Sequence, residues 1–201
     1  MKKTPNLDNL DDFSDLLLLV WAEIDDIQEC LFQYTALKEI MSRDLGVFHI
    51  APNFFCKVVY AFEYKIITGT ARFYDKEDNR NDTLCLAYIL KKAENLYRNK
   101  ANLVDFVKRK KVELDTLDVE DLRFFRDKYY SHLDKKAFEI KPSNKIIFMP
   151  KWELDIETLL RFAKEVIVGI LSCLEITIPT TKAFVPDIDN LVKQLNYKYS
   201  F

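Results

Sequence analysis

The stretch Leu10–Tyr34 reads LDDFSDLLLLVWAEIDDIQECLFQY and is the clearest indication of the fold class of this chain. Its apolar residues recur at steps of three and four: Leu10, Phe13, Leu17, Val20, Ile24, Ile27, Leu31 and Tyr34. That spacing places them on one face of an α-helix, so the stretch predicts a long helix from about 7 to 43, buried along this stripe.

Helical periodicity continues through most of the chain, and only three glycines and six prolines interrupt it. Further helices are predicted at about 52–74 and 82–97, from 118 and from 155, and 102–112 is predicted to be a shorter basic helix or an irregular segment. Asp82 or Thr83 is expected to cap the helix at 82–97. Residues 146–149 are predicted to be briefly extended, and a short closing helix is expected near 186–197. We therefore expect one all-α domain over residues 1–201, a bundle of four main long helices with shorter accessory helices. The stripe from Ile156 to Leu174 is so apolar that its helix should lie at the bundle centre or against a partner chain.

Composition indicates a protein of the cytoplasm with no bound metal or cofactor. The formal charge of −2 gives no overall bias toward nucleic acid or membranes. The run Leu16–Ala22 is too short to cross a bilayer, and residues 1–5 lead into an acidic segment rather than an apolar signal region. Four scattered cysteines in apolar stretches predict reduced core residues. Two histidines without Cys-x-x-Cys or Glu-x-x-His pairs exclude a usual zinc site and a ferritin-like di-iron site.

The stretch Arg126–His132, RDKYYSH, carries the candidate chemistry. An arginine offers a planar cationic fork to phosphate oxygens, and a histidine exchanges protons near neutral pH. On a straight helix the two side chains lie about 120° apart, separated by roughly 9 Å of rise, and do not readily grip one phosphate. A kink, a bound substrate or a two-fold axis would bring them together. We favour a homodimer with a composite site, which would supply two His132 side chains as acid and base.

Arg126-Asp127-Lys128 followed by His132 resembles the signature of the HEPN superfamily, an arginine with a polar residue after it and a histidine four to six residues after the arginine. The stretch 71–75, ARFYD, together with 83–86, TLCL, resembles the AbiU-like branch, which is tied to abortive phage infection. The resemblance implies a helical bundle, dimerisation and, in many members, metal-independent endoribonuclease activity. By this resemblance Arg126 and His132 would be catalytic, with Asp127 supporting them.

The resemblance leads us to expect an RNA-cleaving enzyme of phage defence or a regulated toxin, with an antitoxin or a neighbouring-gene product as a further partner. Lys128, Tyr130 and Arg72 are candidate RNA contacts. The alternative is a non-catalytic HEPN-like dimer that binds a partner protein or a nucleotide. A third interpretation is a structural dimer whose activity resides in a partner encoded nearby.

Two further features have competing interpretations. His132 alone would fit a helix-edge histidine bonded to a carbonyl or carboxylate, and His49 is expected to be structural. The basic segment 98–111 holds six cations and one acid, and it fits either a solvated helix face or a surface that attracts a polyanion.

Overall fold

A computed structural model describes residues 10–43, 51–76, 85–127, 150–178 and 180. These residues form six helices and no strand: α1 (Leu10–Arg43), α2 (Pro52–Phe73), α3 (Leu86–Leu96), α4 (Ala101–Asp115), α5 (Glu120–Phe125) and α6 (Pro150–Cys173). The predicted all-α fold is therefore confirmed. The expected extended piece at 146–149 and the closing helix near 186–197 lie outside the described residues.

Helix α1 is buried along the stripe that its sequence predicts. Phe13, Leu17, Ile24, Ile27 and Tyr34 are fully buried in the main core. Burying each of these side chains contributes roughly 1.5–3 kcal/mol. The stripe faces α2 and α6, which are the two helices that α1 contacts most.

Helix α6 lies at the centre of the bundle, as its apolar sequence predicts. It contacts α1, α2, α3 and α4. Its stripe is buried, with Leu160, Ala163, Ile167 and Ile170 all inaccessible to solvent. Because four helices of the same chain already cover it, this helix needs no partner chain to bury its apolar surface.

The last turn of α6 ends in a Schellman motif. The Ile176 amide donates to the Leu171 carbonyl at 3.0 Å, and the Glu175 amide donates to the Ser172 carbonyl at 3.1 Å. Glu175 takes the left-handed conformation, with φ of 60°, a position that glycine usually occupies. The side chain of Ile176 packs on the core, which completes the motif.

Three expectations are corrected. Helix α3 begins at Leu86 with Cys85 as its N-cap residue, and not with Asp82 or Thr83 as the cap. Helix α6 begins at Pro150, earlier than the predicted Asp155, because proline is well tolerated in a first helical turn. Cys56 is exposed rather than buried in the core.

Among the described residues, no helix combines the length and the apolar character that crossing a membrane requires.

Candidate functional site

An open groove of about 520 Å³ lies where the C-terminal end of α2 meets α1 and the end of α5. Most of its lining is polar or charged: Glu23, Tyr64, Lys65, Thr68, Gly69, Arg72, Asp75, Arg126 and Asp127. Among these described residues are three cations and three acids. Their formal charges cancel, although the lining is strongly charged locally.

Arg126 is the most enclosed cation at the α5 end of the groove. Its Nε donates to Asp127 Oδ1 at 2.8 Å, and its Nη1 donates to Asp75 Oδ1. Its side chain is 20 % exposed. Among the described residues, Nη2 has no hydrogen-bond acceptor, so the third nitrogen of the fork keeps its two N–H donors for a ligand.

The two carboxylates keep Arg126 charged. Partial burial disfavours the guanidinium cation, but the hydrogen bonds to Asp127 and Asp75 outweigh burial and raise the pKa of Arg126 above its ordinary value. Arg126 is therefore a permanent positive charge at any pH that the protein tolerates. It can bind or stabilise an anion, and it cannot act as a proton donor.

Asp75 is held beside Arg126 by contacts of its neighbour Tyr74. The Tyr74 hydroxyl donates to the Leu159 carbonyl of α6 at 2.5 Å, and burial raises the pKa of this phenol. The Tyr74 carbonyl accepts hydrogen bonds from Nε of Arg123, at 3.0 Å, and from Nη2 of the same side chain. Arg123 and Arg126 thus bind two consecutive residues, Tyr74 and Asp75, directly after the end of α2.

The backbone of the motif departs from the straight helix assumed from the sequence. The α-helical part of α5 ends at Phe125, and Arg126 and Asp127 form a wider π-helical turn. Such turns are rare and are found often at functional sites. His132 lies outside the described residues, so the angle of about 120° expected between it and Arg126 stays a prediction.

The α1 side of the groove carries a second set of ion pairs. Lys65 Nζ lies 2.9 Å from Glu23 Oε1 and 2.8 Å from Asp26 Oδ2. Burial opposes the charge of Lys65, but these hydrogen bonds raise its pKa. Arg72 is only loosely paired, 3.9 Å from Glu23, and 53 % of its side chain is exposed. Arg72 is therefore the groove cation most open to an incoming anion.

Three of the predicted site residues line this one groove: Arg126, Asp127 and Arg72. Lys128, Tyr130 and His132 lie outside the described residues, as does His49. Phe124, which the helical pattern places on the polar face of its helix, is exposed.

Sequence reasoning missed Asp75 as a partner of Arg126, and it missed Arg123 altogether. Asp75 belongs to the stretch 71–75 that carries the AbiU-like resemblance, and this membership could have indicated it as a site residue. Arg123 precedes Arg126 by three residues and therefore lies near it on the helix, which is a weaker indication that it belongs to the site.

The basic segment 98–111 divides into two groups of side chains. Lys110 is buried in a structural role: its Nζ lies 2.6 Å from Glu113 and 3.2 Å from Glu165, above the Phe162 ring. Lys111 pairs with Glu94 at 2.5 Å, and this hydrogen bond lowers the pKa of Glu94. The other four cations are exposed: Arg98, Lys100, Lys108 and Arg109. Lys110 and Lys111 therefore join α4 to neighbouring helices, and the other four cations of the segment lie on a solvent-exposed face.

Within the described part of the chain, no group of three or more histidine, cysteine or acidic side chains is placed to hold a metal ion. No protein-family model, curated protein or solved structure matches the chain.

Proposed function

We propose that this protein is a metal-independent endoribonuclease of the HEPN type whose site includes Arg126, Asp127 and His132. One observation carries the proposal. Asp75, from the stretch 71–75, and Arg126 and Asp127, from the start of the stretch 126–132, line one groove, where Asp75 binds Arg126 although 51 residues separate them. An arginine oriented by two carboxylates, whose Nη2 has no acceptor among the described residues, suits a site that stabilises a phosphate.

In the proposed mechanism, His132 accepts the proton of a ribose 2′-hydroxyl. The 2′-oxygen then attacks the adjacent phosphorus, and the bond from phosphorus to the 5′-oxygen breaks. The second His132 of the dimer protonates that leaving oxygen. Arg126 stabilises the charge that accumulates on the non-bridging oxygens, while Asp127 and Asp75 fix the orientation of its guanidinium. One product ends in a 2′,3′-cyclic phosphate, and the other begins with a 5′-hydroxyl.

The resemblance also leads us to propose where the protein acts and what regulates it. The protein would act in the cytoplasm, in phage defence or as a regulated toxin, with an antitoxin or a neighbouring-gene product as its regulator. Its working form would be a homodimer. DNA lacks the 2′-hydroxyl and should resist cleavage under conditions in which RNA is cut.

The test is cleavage of total cellular RNA and of tRNA in excess EDTA. We expect the wild-type protein to cut RNA and to leave cyclic phosphate ends. Arg126→Ala should lower the rate by roughly 10²–10³-fold, the usual effect of removing one transition-state donor. His132→Ala should lower it further. Arg161→Ala, which removes an exposed arginine of α6, is the matched control and should keep the wild-type rate.

Two results would contradict the nuclease. One is a folded wild-type dimer that cuts no RNA in any substrate pool. The other is cleavage of DNA at a rate comparable with that of RNA.

The alternative function is a non-catalytic dimer that binds a nucleotide or a partner protein. The two carboxylates that engage Arg126 favour a non-catalytic role, because an arginine paired in this way also fits a structural ion pair. Arg126→Lys separates the two functions. Catalysis that depends on a planar fork should be nearly abolished by lysine, whereas simple anion binding should mostly survive. If activity resides in a partner encoded nearby, neither the wild type nor any variant would cut RNA alone.

A further inference from the structure

The outward face of α2 carries a continuous strip of aromatic and cationic side chains that ends at the groove. Lys57, Tyr60, Tyr64, Thr68 and Arg72 follow one another at steps of three and four, so they lie along one side of the helix. Tyr60 is 55 % exposed and Tyr64 is 46 % exposed. Lys57 is also exposed. The strip extends roughly 23 Å from Lys57 to Arg72.

The strip is continuous with the candidate site. Tyr64, Thr68 and Arg72 belong both to the strip and to the lining of the groove that contains Arg126. Tyr60 and Lys57 continue it along α2, away from the groove. A ligand anchored at Arg126 and longer than one nucleotide can therefore follow α2.

Both charged side chains of the strip itself, Lys57 and Arg72, are cations. Helix α2 contains a single acid, Glu63, which accepts a hydrogen bond from the Tyr34 hydroxyl at 2.9 Å and so lies on the side that faces α1. A cation stands at each end of the strip, Lys57 and Arg72, with the two tyrosines between them. Aromatic rings that stack on bases, together with cations that follow the phosphates, are typical of surfaces that bind single-stranded nucleic acid.

We propose that this α2 strip binds single-stranded RNA and guides it into the groove, with bases stacking on Tyr64 and Tyr60. The proposal rests on the proposed ribonuclease function and adds its substrate class: unpaired RNA read by stacking and charge. A duplex hides the faces of its bases and cannot stack in this way. A second protomer is a poorer occupant, because a two-fold axis through the strip would bring Lys57 toward Arg72 of the other copy.

The test measures binding separately from cleavage. The probe is a fluorescein-labelled RNA of about twelve nucleotides, within the usual range for single-strand binding surfaces. It carries 2′-O-methyl groups throughout, so the attacking hydroxyl is absent and the probe stays intact. Fluorescence anisotropy in EDTA gives the Kd for the wild type and each variant.

We expect Tyr64→Ala and Tyr60→Ala each to raise the Kd by roughly five-fold or more. Tyr64→Phe, which keeps the ring, should bind within about two-fold of the wild type. Lys57→Gln should lower the slope of log K against log salt by about 0.7, the effect of one lost phosphate contact. The matched controls are Tyr88→Ala on α3 and Lys108→Gln on α4, which should leave the Kd and the slope unchanged. The duplex form of the probe should bind more weakly.

Three results would overturn the strip. The first is a wild-type Kd in folded Tyr60→Ala and Tyr64→Ala. The second is a salt slope that falls for Lys108→Gln and not for Lys57→Gln, which would place binding on the basic segment. The third is conversion of the dimer to a monomer by the tyrosine variants, seen by light scattering, which would make the strip a protein interface.

The measurements distinguish failure of the proposal about the α2 strip from failure of the proposed ribonuclease function. Binding that depends on Tyr64, with no cleavage of unmodified RNA, would contradict the nuclease and support the strip. Cleavage with an unchanged KM in both tyrosine variants would contradict the strip alone.

Discussion

The guanidinium of Arg126 is oriented before any ligand arrives. Its Nε and Nη1 are occupied by Asp127 and Asp75, which fixes the plane of the guanidinium. Asp75 is itself held in place because Arg123 and Leu159 bind the preceding residue, Tyr74. A cation held in this way loses little freedom when it stabilises a developing charge, which is the physical advantage of preorganisation.

Asp75→Asn tests this orientation. The amide keeps the size of the side chain but loses its charge, so we expect the single-turnover rate of RNA cleavage to fall about ten-fold, with little change in KM. Asp75→Glu keeps the charge and should restore part of the rate. Asp105→Asn, an exposed acid on α4, is the control. A wild-type rate in a folded Asp75→Asn protein would remove Asp75 from the site.

At the scale of the element, the end of α6 stores backbone strain at Glu175. Its left-handed conformation is unfavourable for a residue with a Cβ, and glycine relieves this. Glu175→Gly should therefore raise the free energy of unfolding by about 0.5–1 kcal/mol, measured by urea denaturation. Glu175→Ala keeps the Cβ and should give no such gain. A loss of stability in the glycine variant would contradict the assigned motif.

The packing of α4 on α6 depends on Gly169. A Cβ built at this position would overlap the ring of Phe106. Gly169→Ala should lower stability by about 1–3 kcal/mol, although alanine favours the helix by roughly 1 kcal/mol. Combining it with Phe106→Leu makes room for the methyl group, so a double-mutant cycle should show favourable coupling. Additive effects of the two changes would contradict this contact.

The positions of the helices could be predicted from the sequence, because burial of one helix face makes apolar residues recur at the helical period. The ends of the helices were harder to predict. Phe13, Leu17 and Ile24 repeat at helical spacing, and the core takes up that face. The start of α3 was misplaced because capping preference favoured Asp82 or Thr83. Instead the helix begins at Leu86, and the side chains of Leu86 and of the N-cap residue Cys85 are fully buried. Burying an apolar side chain contributes roughly 1.5–3 kcal/mol, more than the roughly 1 kcal/mol of a cap.

At the scale of the whole molecule, the candidate site depends on contacts that no local pattern specifies. Spacing alone places Arg126 beside the apolar stripe of its helix, but it does not say which other helix faces that position. Asp75 reaches Arg126 because α2 and α5 pack together, and α5 packs chiefly on α2. The sequence thus indicated Arg126, Asp127 and Arg72 as candidates, while the carboxylate that joins α2 to α5 required the fold.

The proposed composite site predicts how a mixed dimer behaves. We expect a heterodimer of one wild-type and one His132→Ala protomer, purified through two different tags, to lose at least 99 % of its activity, on the order of the 10²-fold that one acid or base contributes. Protomers that work independently would instead keep about half of the activity. A heterodimer with Arg161→Ala in one protomer is the control for the tags and for assembly.

The sparse packing of α5 affects the order in which the protein loses its properties. Among the described helices, α5 has its main contacts with one neighbour, α2, and most helical stability in proteins comes from tertiary packing. Helix α5 should therefore open as a separate cooperative unit, at a lower free energy than α1 and α6. In rising urea, RNA cleavage should disappear before the helical circular dichroism signal falls, and Arg123→Gln should widen this gap. Coincident loss of both signals would mean that α5 unfolds only with the core.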